Sequence, residues 1–559
     1  MPKLSPLGQS DFKEIIAGNR YYVDKTAMIR AVWEGSKVQL HCRPRRFGKT
    51  LNLSMLSYFF DIKKDHKHLF EGLAIAQDDK MMSQHQGKYP VIDLSFKDEK
   101  ADDYPSAIRG IAQLLYREWT RHGVLEGTLE YDKKLADMSA SVRSGEIRED
   151  LFWASLFELS ELLHGHYGAP VVLLIDEYDT PLLQAWLKGY YDKMVSFMRR
   201  LFSSGLKDNK LLYKGVLTGI LRVAKESLFS GLNNFISDAG LKLNKFSDKF
   251  GFTEAEVATM MEHYSLNGGD MEVVRDWYDG YRYGGIPIYN PWSILCYVNE
   301  AGPTPSAYWV NTGGHSLLKR LFFGQEADIK PNLEMLMRGE PFYAHIDEFL
   351  TFHGLETNPN AVLSLLYFAG YVRAGENRTL DYLSHHELSI PNREVWLAYR
   401  ETLMAWFRED LGSTFNDPLL EALTTGDVLS FEAILSDFVM RVFSYYDTGK
   451  RQAEHFYHAF LLGLIARLDS RYRIRSNRES GLGRYDICLI PKEASKKGIV
   501  MEIKAPRLGR KETLEQNLAA AREQLEARKY DAELSTGSVT DVLRLAIAVA
   551  GKEVAVKEV

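Results

Sequence analysis

Cysteine is scarce in this chain: Cys42, Cys296 and Cys488 are the only three in 559 residues, far apart and without a CxxC pair. Neither a zinc knuckle nor a disulfide framework is expected, and the thiols read as reduced and buried. Long apolar runs are missing too. None approaches the roughly 18 residues that would cross a bilayer, and the amino-terminal stretch MPKLSPLGQSDFKEI has no apolar centre of a signal peptide. A cytoplasmic protein without a membrane partner is the expectation. No period of about 20 to 50 residues repeats, which argues against a solenoid. Nor is there an overall basic excess: the net charge is −6, so the protein is not coated for polyanions.

What is present fits large folded cores. Hydrophobic residues make up 45% of the chain and charged residues 26%, and 12% aromatics leaves little room for widespread disorder. At about 150 residues per domain the length suggests three or four domains. One segment reverses the charge: from Arg471 to Lys529 there are 15 Lys and Arg against 8 Asp and Glu. A surface that tracks phosphates needs such an excess, although a solvated basic face would give the same count.

The first 245 residues alternate apolar strands with helical patterns: VQLHCR, a helix from Lys49 to Phe60, YPVIDLSF, PVVLLIDE and LLYKGVLTGIL. This is the pattern of an α/β domain with a mainly parallel sheet, and VVLLI reads as a strand buried on both faces. From about 246 to 440 the pattern turns helical, with turn-rich breaks such as DGYRYGGIPIYNP. A third region begins near Tyr445 with the amphipathic stretch RQAEHFYHAFLLGLIARL. RYRIRSN, YDICLIP and GIVMEIKA follow as strands, then a charged helix and two strands around a Gly-Lys turn, giving an α-β-β-β-α-β-β order.

RPRRFGKT, residues 43–50, ends as a phosphate-binding loop but has Arg43 where the first glycine is usual. That glycine relaxes the loop's backbone. Pro44 fixes φ beside it and points to a stiffer loop of different shape. In such a loop backbone amides from Arg45, Arg46, Phe47, Gly48 and Leu51 wrap phosphates, Lys49 reaches the β/γ oxygens, and Thr50 binds Mg²⁺. PVVLLIDEYD, about 130 residues on, supplies the acidic pair that such a site needs: Asp176 for the ion, Glu177 for the attacking water. Thr218, ending the strand LLYKGVLTGIL, could sense the terminal phosphate. Arg222, one helical turn further, could touch phosphate or form a salt bridge. Asp24 and Lys25 of YVDKT could meet a base or pair at a helix start, and the pairing is preferred.

Together YYVDKT, RPRRFGKT, LLIDEYDTPL, LTGILRVAKESLFSGLNN, WYDGYRYG and IYNPWSI resemble an AAA-ATPase-like family of bacterial and archaeal proteins that carry a C-terminal nuclease domain. In that family the arginine-rich loop lacking its first glycine is the norm. The resemblance implies ATP as ligand, a sensor role for Thr218, and a helical lid holding Tyr289, Asn290 and Pro291, though Asn-Pro is equally a turn signal.

GRYDICLIP followed by GIVMEIKAP carries the second chemistry. On a strand, Ile499, Met501 and Ile503 share one face while Glu502 and Lys504 share the other. A carboxylate and an ammonium on an apolar strand are costly to bury unless a metal or substrate compensates. With Asp486 on the preceding strand they form the D…ExK arrangement and resemble the site of PD-(D/E)XK nucleases. The resemblance implies that Asp486, Glu502 and the Ile503 carbonyl hold Mg²⁺ or Mn²⁺ and that Lys504 orients or deprotonates water. It also places Glu454 near the metal, with His458 as a core residue or a catalytic one. Asn477, Arg478, Glu479 and Arg484 of SNRESGLGR would bind DNA phosphate or shape the pocket, with a second metal contact or a salt bridge for Glu479. Gln524 and Tyr530 resemble the glutamine-tyrosine helix of RecB-like members, which would put Gln524 near the metal; an exposed glutamine is the alternative.

The expected fold class is thus α/β and multidomain: an AAA-like P-loop core over 1–245, a helical lid or winged-helix-like region over 246–330, a helical connecting region over 331–440, and a restriction-endonuclease-like domain over 441–559. The resemblance is firmest over 12–60, 171–234 and 450–530 and loosest over 320–440. The expected partners are ATP and nucleic acid, DNA ahead of RNA, with a homo-oligomer left open. The expected activity is a Mg-dependent nuclease controlled by an ATP-binding, hydrolysing module, with defence against phage or mobile DNA as its setting. The rival reading is a switch that holds ATP without turnover and whose nuclease-like domain only binds nucleic acid.

Overall fold

The computed structural model describes residues 2–63, 65–207, 209–222, 235–266, 268–300, 305–309, 318, 320, 329–337, 339–380, 382–399, 402, 416–445, 461, 465, 468, 471–476, 479–480, 483–484, 486–493, 495–504, 512–527, 541–550 and 553–559. The chain divides into two compact units: Met1–Gly313 with Gln325–Ile329 and Pro341–Trp396, and Gly314–Gly324 with Lys330–Glu340 and Leu397–Val559.

The first unit is organised by five strands, β1 (Val38–Cys42), β2 (Val91–Ser95), β3 (Val171–Asp176), β4 (Leu212–Gly219) and β5 (Phe235–Asp238), in the order β2-β3-β4-β1-β5. Every pairing is parallel. β1 and β3 are buried along their whole length, the consequence of helices on both faces of a parallel sheet. The helix Lys49–Phe60 lies on this sheet, with Leu53, Met55, Leu56, Phe59 and Phe60 in the core. Burial of each aromatic ring there contributes about 1.5–3 kcal/mol. Because β4 separates β1 from β3, the carboxyl ends of the three strands converge at one edge of the sheet, where ligands of open α/β folds bind.

Beyond this sheet, β6 (Phe252–Thr253), β7 (Tyr281–Tyr283) and β8 (Ile286–Tyr289) form a small antiparallel sheet in the order β6-β8-β7. The helix Pro291–Asn299 follows, capped by Asn290, whose Oδ1 accepts from the Trp292 and Ser293 amides at 2.9 and 3.3 Å. The Asn-Pro step is therefore a helix start. The stretch expected to connect as helices also holds strands: β9 (Phe342–His345), β10 (Arg373–Leu380) and β11 (Leu383–Ser389) make a sheet in the order β10-β11-β9, beside the apolar helix Pro359–Ala369. β10 is exposed from Gly375 to Leu380, so the sequence shows no alternation of apolar and polar residues there.

In the second unit β12 (Tyr472–Ser476), β15 (Ile487–Pro491), β16 (Gly498–Lys504), β17 (Val542–Ala550) and β18 (Glu553–Glu558) form one sheet in that order. A two-residue hairpin, β13 (Glu479–Ser480) and β14 (Gly483–Arg484), pairs Glu479 with Arg484 in register. β16 runs parallel to β17 and antiparallel to β15. One sheet face carries Ile499, Met501, Ile503, Leu545 and Ile547 in the larger core; the other carries Val500, Cys488 and Ala546 beneath Ala521 and Leu525 of the helix Leu514–Ala527.

Candidate nucleotide and nuclease sites

Arg43, the residue in the place of the usual glycine, does not face the loop's interior. Its side chain is fully buried, with Nη2 donating to Asp238 Oδ2 at 2.6 Å and Nη1 to the Cys42 carbonyl at 2.7 Å. Its guanidinium stands 4.4 Å from the Tyr283 ring centre and 5.2 Å from that of Phe250. Asp238 Oδ1 takes the Gly240 amide and the Asn244 side chain as well. Burial would raise the Asp238 carboxyl, but the Arg43 charge outweighs this and holds it well below the usual carboxylate range. The substituted position is thus a tie between β1 and β5. Pro44 packs against Gly370, whose Cβ, were there one, would come within 2.9 Å of the proline ring.

The rest of the loop keeps a cradle. Arg46 and Gly48 have left-handed backbones, φ 70° and 81°. A Cβ on Gly48 would meet nothing within 4 Å, so the loop encloses open space next to the first amides of the helix. Lys49 is buried within the loop, its Nζ donating to the carbonyls of Arg43 and Pro44 at 3.1 and 2.9 Å. Phe47 is buried against Tyr281 and Tyr283, so it offers the loop's interior a backbone amide and no side chain. Arg45 and Leu51 are half-buried, and the exposed Arg46 lies 4.0 Å from the Trp292 ring centre.

Asp176, at the end of β3, gathers the neighbouring strands. Its Oδ2 accepts from Thr50 Oγ1 at 2.6 Å and its Oδ1 from Thr218 Oγ1 at 2.5 Å. Burial raises its carboxyl above the ordinary value, and the two hydroxyls oppose that rise. Glu177, half-buried beside it, has a left-handed φ of 48°, a conformation that costs about 1–2 kcal/mol. Thr180 Oγ1 donates to it at 3.3 Å. Thr50, Asp176, Glu177 and Thr218, read separately from sequence, are therefore brought together. The donor set of hydroxyl and carboxylate oxygens suits a hard divalent ion, and the buried ammonium with its open amide cradle suits a polyphosphate.

Sequence reasoning did not anticipate Asp179. Its Oδ2 takes the Ile220 and Leu221 amides at 2.9 and 2.8 Å, fixing the end of β4 to the turn after β3, and burial pushes its carboxyl up to about 6. A third acid soon after the Asp-Glu pair was the available signal. Arg222 stacks on Phe349 at 3.9 Å. Asp24 and Lys25 take the preferred structural part: Asp24 accepts from Thr26 and the Ala74 amide, while Lys25 Nζ meets Glu256 and the Asp248 carbonyl, each at 2.7 Å.

In the second unit strand parity puts Glu502 and Lys504 on the face covered by the helix Leu514–Ala527, opposite Ala546 and Ala548 of β17. Small neighbours leave room there. Glu502 is fully buried, and Lys504 Nζ donates to its Oε1 at 2.6 Å. Asp486 Oδ2 accepts the Ile503 amide at 2.8 Å, so the three residues of the D…ExK pattern close on one another. Two carboxylates and the Ile503 carbonyl are hard oxygen donors of the kind Mg²⁺ or Mn²⁺ prefers. Among the described residues no group of three His, Cys, Asp or Glu forms a metal cluster. Gln524 is half-buried on the covering helix, adjacent in sequence to the buried Leu525. Glu454, His458, Asn477, Arg478 and Tyr530 lie outside the described residues.

Residues 6–229 match the AAA-ATPase-like family model, described as a predicted AAA-ATPase, and residues 452–559 match a PD-(D/E)XK nuclease superfamily model. The chain is also 27% identical over 440 residues to the "Uncharacterized protein in vnfD 5'region" of Azotobacter chroococcum mcd 1, covering 78% of this chain and 77% of that protein. Among the described residues no helix is long and apolar enough to cross a membrane. With an acid-linked loop at the edge of a β2-β3-β4-β1-β5 sheet and a D…ExK cluster on a second sheet, the chain carries a domain of the AAA-ATPase-like family and a domain of the PD-(D/E)XK nuclease superfamily.

Proposed function

We propose that this protein binds and hydrolyses ATP in its first unit and, under that control, cleaves phosphodiester bonds in nucleic acid, DNA before RNA, with a Mg²⁺- or Mn²⁺-dependent site in its second. The observation that carries the reading is the closed cluster of the buried Glu502, Lys504 at 2.6 Å and Asp486 on the amide between them. A buried carboxylate and ammonium on a strand face have a high desolvation cost, which a phosphate-processing site explains.

Asp486, Glu502 and the Ile503 carbonyl would hold the ion, and Gln524 and Glu454 would complete the pocket. The ion supplies Lewis-acid neutralisation of charge at the scissile phosphate. Lys504 holds a proton at Nζ, orients water, and adds positive charge where the phosphate becomes more negative. Exposed Arg471, just before the edge strand β12, and Arg473 on it belong to the basic segment that would track the backbone.

In the first unit Lys49 and the amides of residues 45–51 would bind the phosphates, Thr50 and Asp176 the accompanying ion, Glu177 would accept hydrogen from the attacking water, and Thr218 would register the terminal phosphate through Asp176. A nucleotide-restrained nuclease suits defence against phage or mobile DNA, where uncontrolled cutting would harm the host. The test uses purified protein on duplex DNA, single-stranded DNA and RNA, each with ATP, ADP or no nucleotide. Metal-dependent cleavage that disappears in Glu502→Ala is expected. Equal cleavage by wild type and variant would remove the assignment.

A further inference from the structure

Both arginines after Pro44 are attached to tryptophans. Arg46 lies against the Trp292 ring, and Trp309 Nε1 donates to the Arg45 carbonyl at 3.2 Å. The two tryptophans are joined, because Trp292 Nε1 donates to the Tyr308 carbonyl at 3.3 Å. Glu394 closes the ring: its Oε1 accepts the Trp309 amide at 2.6 Å and its Oε2 accepts from Ser293 Oγ at 2.8 Å, on the helix that carries Trp292.

Glu394 is 1% exposed. Burial pushes its carboxyl up to about 7, against the pull of these hydrogen bonds. A carboxylate is an expensive way to hold a tryptophan amide in place, since a neutral acceptor would do so without the desolvation cost. The position of the ring along the chain is equally specific. The chain leaves the first unit between Gly313 and Gly314, shortly after Trp309, between Ile329 and Lys330, and last between Trp396 and Leu397, shortly after Glu394. The last of these exits leads to the part of the chain that holds Asp486, Glu502 and Lys504.

We propose that Trp309 and Glu394 are positioning residues of the nucleotide loop, and that the ring Arg45–Trp309–Glu394–Ser293–Trp292–Arg46 is the link through which the loop's nucleotide state biases the nuclease-bearing unit. The inference rests on the ATP and nuclease readings above. Its physical basis is that phosphates compete for the groups the ring uses. A triphosphate held by the loop's amides would draw the Arg46 guanidinium by charge, and so would rebalance the Arg46–Trp292 stack and the Arg45 peptide. A loop bonded to Trp309, and through it to Glu394, residues shortly before the first and last of the three exits, transmits that change without a new contact at either site. Couplings of this kind amount to about 5- to 150-fold in the linked equilibrium.

The test uses the full chain and two variants. Trp309→Phe keeps an aromatic ring beside Tyr371, 5.2 Å away in the wild type, and removes the Nε1 donor. Ser293→Ala removes one donor to Glu394 and serves if the first variant folds poorly. Calorimetry with Mg·ATP, hydrogen exchange of peptides covering 305–309 and 392–399, and cleavage with and without ATP are measured on each. In the wild type ATP should change exchange in both peptides and change cleavage by at least about 5-fold. In the variants both responses should fall to within about 2-fold of no effect, while ATP still binds. Variants that bind ATP and keep the wild-type responses would overturn the link. So would a wild type that binds ATP and cleaves DNA with unchanged exchange in both peptides, a result that leaves the functional reading standing. A wild type without ATP binding would overturn both.

Discussion

Arg43→Gly restores the glycine that a phosphate-binding loop usually has at this position, and it should damage the protein. The substitution deletes the 2.6 Å bond to Asp238, the 2.7 Å bond to the Cys42 carbonyl and the stack on Tyr283. Asp238, buried in the intact chain, would keep its bonds from the Gly240 amide and Asn244 but lose the guanidinium that balances its charge. Breaking a buried pair in this way costs about 3–5 kcal/mol, and the lost cation–π contact adds about 0.5–2 kcal/mol. For a unit of roughly 370 residues, an unfolding entropy of about 2.1 cal/mol/K per residue gives ~0.8 kcal/mol per degree. The transition of the first unit should therefore drop by about 4–9 °C in calorimetry. Adding Asp238→Asn to Arg43→Gly should recover part of the loss, because the orphaned charge is then gone. An unchanged transition in Arg43→Gly, or additive losses in the double variant, would refute the account of Arg43 as a tie between β1 and β5.

Lys49→Ala should abolish ATP binding in calorimetry while leaving the far-UV spectrum intact, since the ammonium now held by the Arg43 and Pro44 carbonyls is the charge available to the phosphates. Glu177→Gln should retain ATP binding and lower turnover by about 10²-fold or more, because the carboxylate acts only on the attacking water; equal turnover in both proteins would favour the non-hydrolysing switch. Acid stability should depend on Glu118: burial would raise it, but hydrogen bonds from Arg121 and His122 outweigh this and bring it down to about 2. Its contribution of about 3 kcal/mol is present above the unfolded value near 4.5 and is lost as pH falls from there towards 2, so Glu118→Gln should flatten stability across that window.

Much of both sites was legible because it is local. A strand, a Gly-Lys-Thr step and the helix Lys49–Phe60 are contiguous, and the structure has that helix at the bounds the sequence gives. The acid pair ending β3 and the hydroxyl ending β4 follow from apolar runs that stop at polar residues. The shared face of Glu502 and Lys504 follows from strand parity alone, and β16 has it. Where exposed strands carry no alternation, as in β10, the same reasoning failed to see them.

The amino-acid sequence by itself determined the order of the buried strands β1 to β4, the helix Lys49–Phe60 and the strands β12 and β15 to β18, together with the residue types at the two candidate sites. Only the tertiary structure decided what Arg43 is for: its partner Asp238 is 195 positions away and becomes its neighbour because β5 pairs with β1 at the sheet edge. It likewise brought Trp309 to the Arg45 carbonyl across 264 positions and gave Asp179 the two amides just after β4. Periodicity specifies which way a side chain points from its own element, whereas the identity of what it meets depends on sheet order and long-range packing.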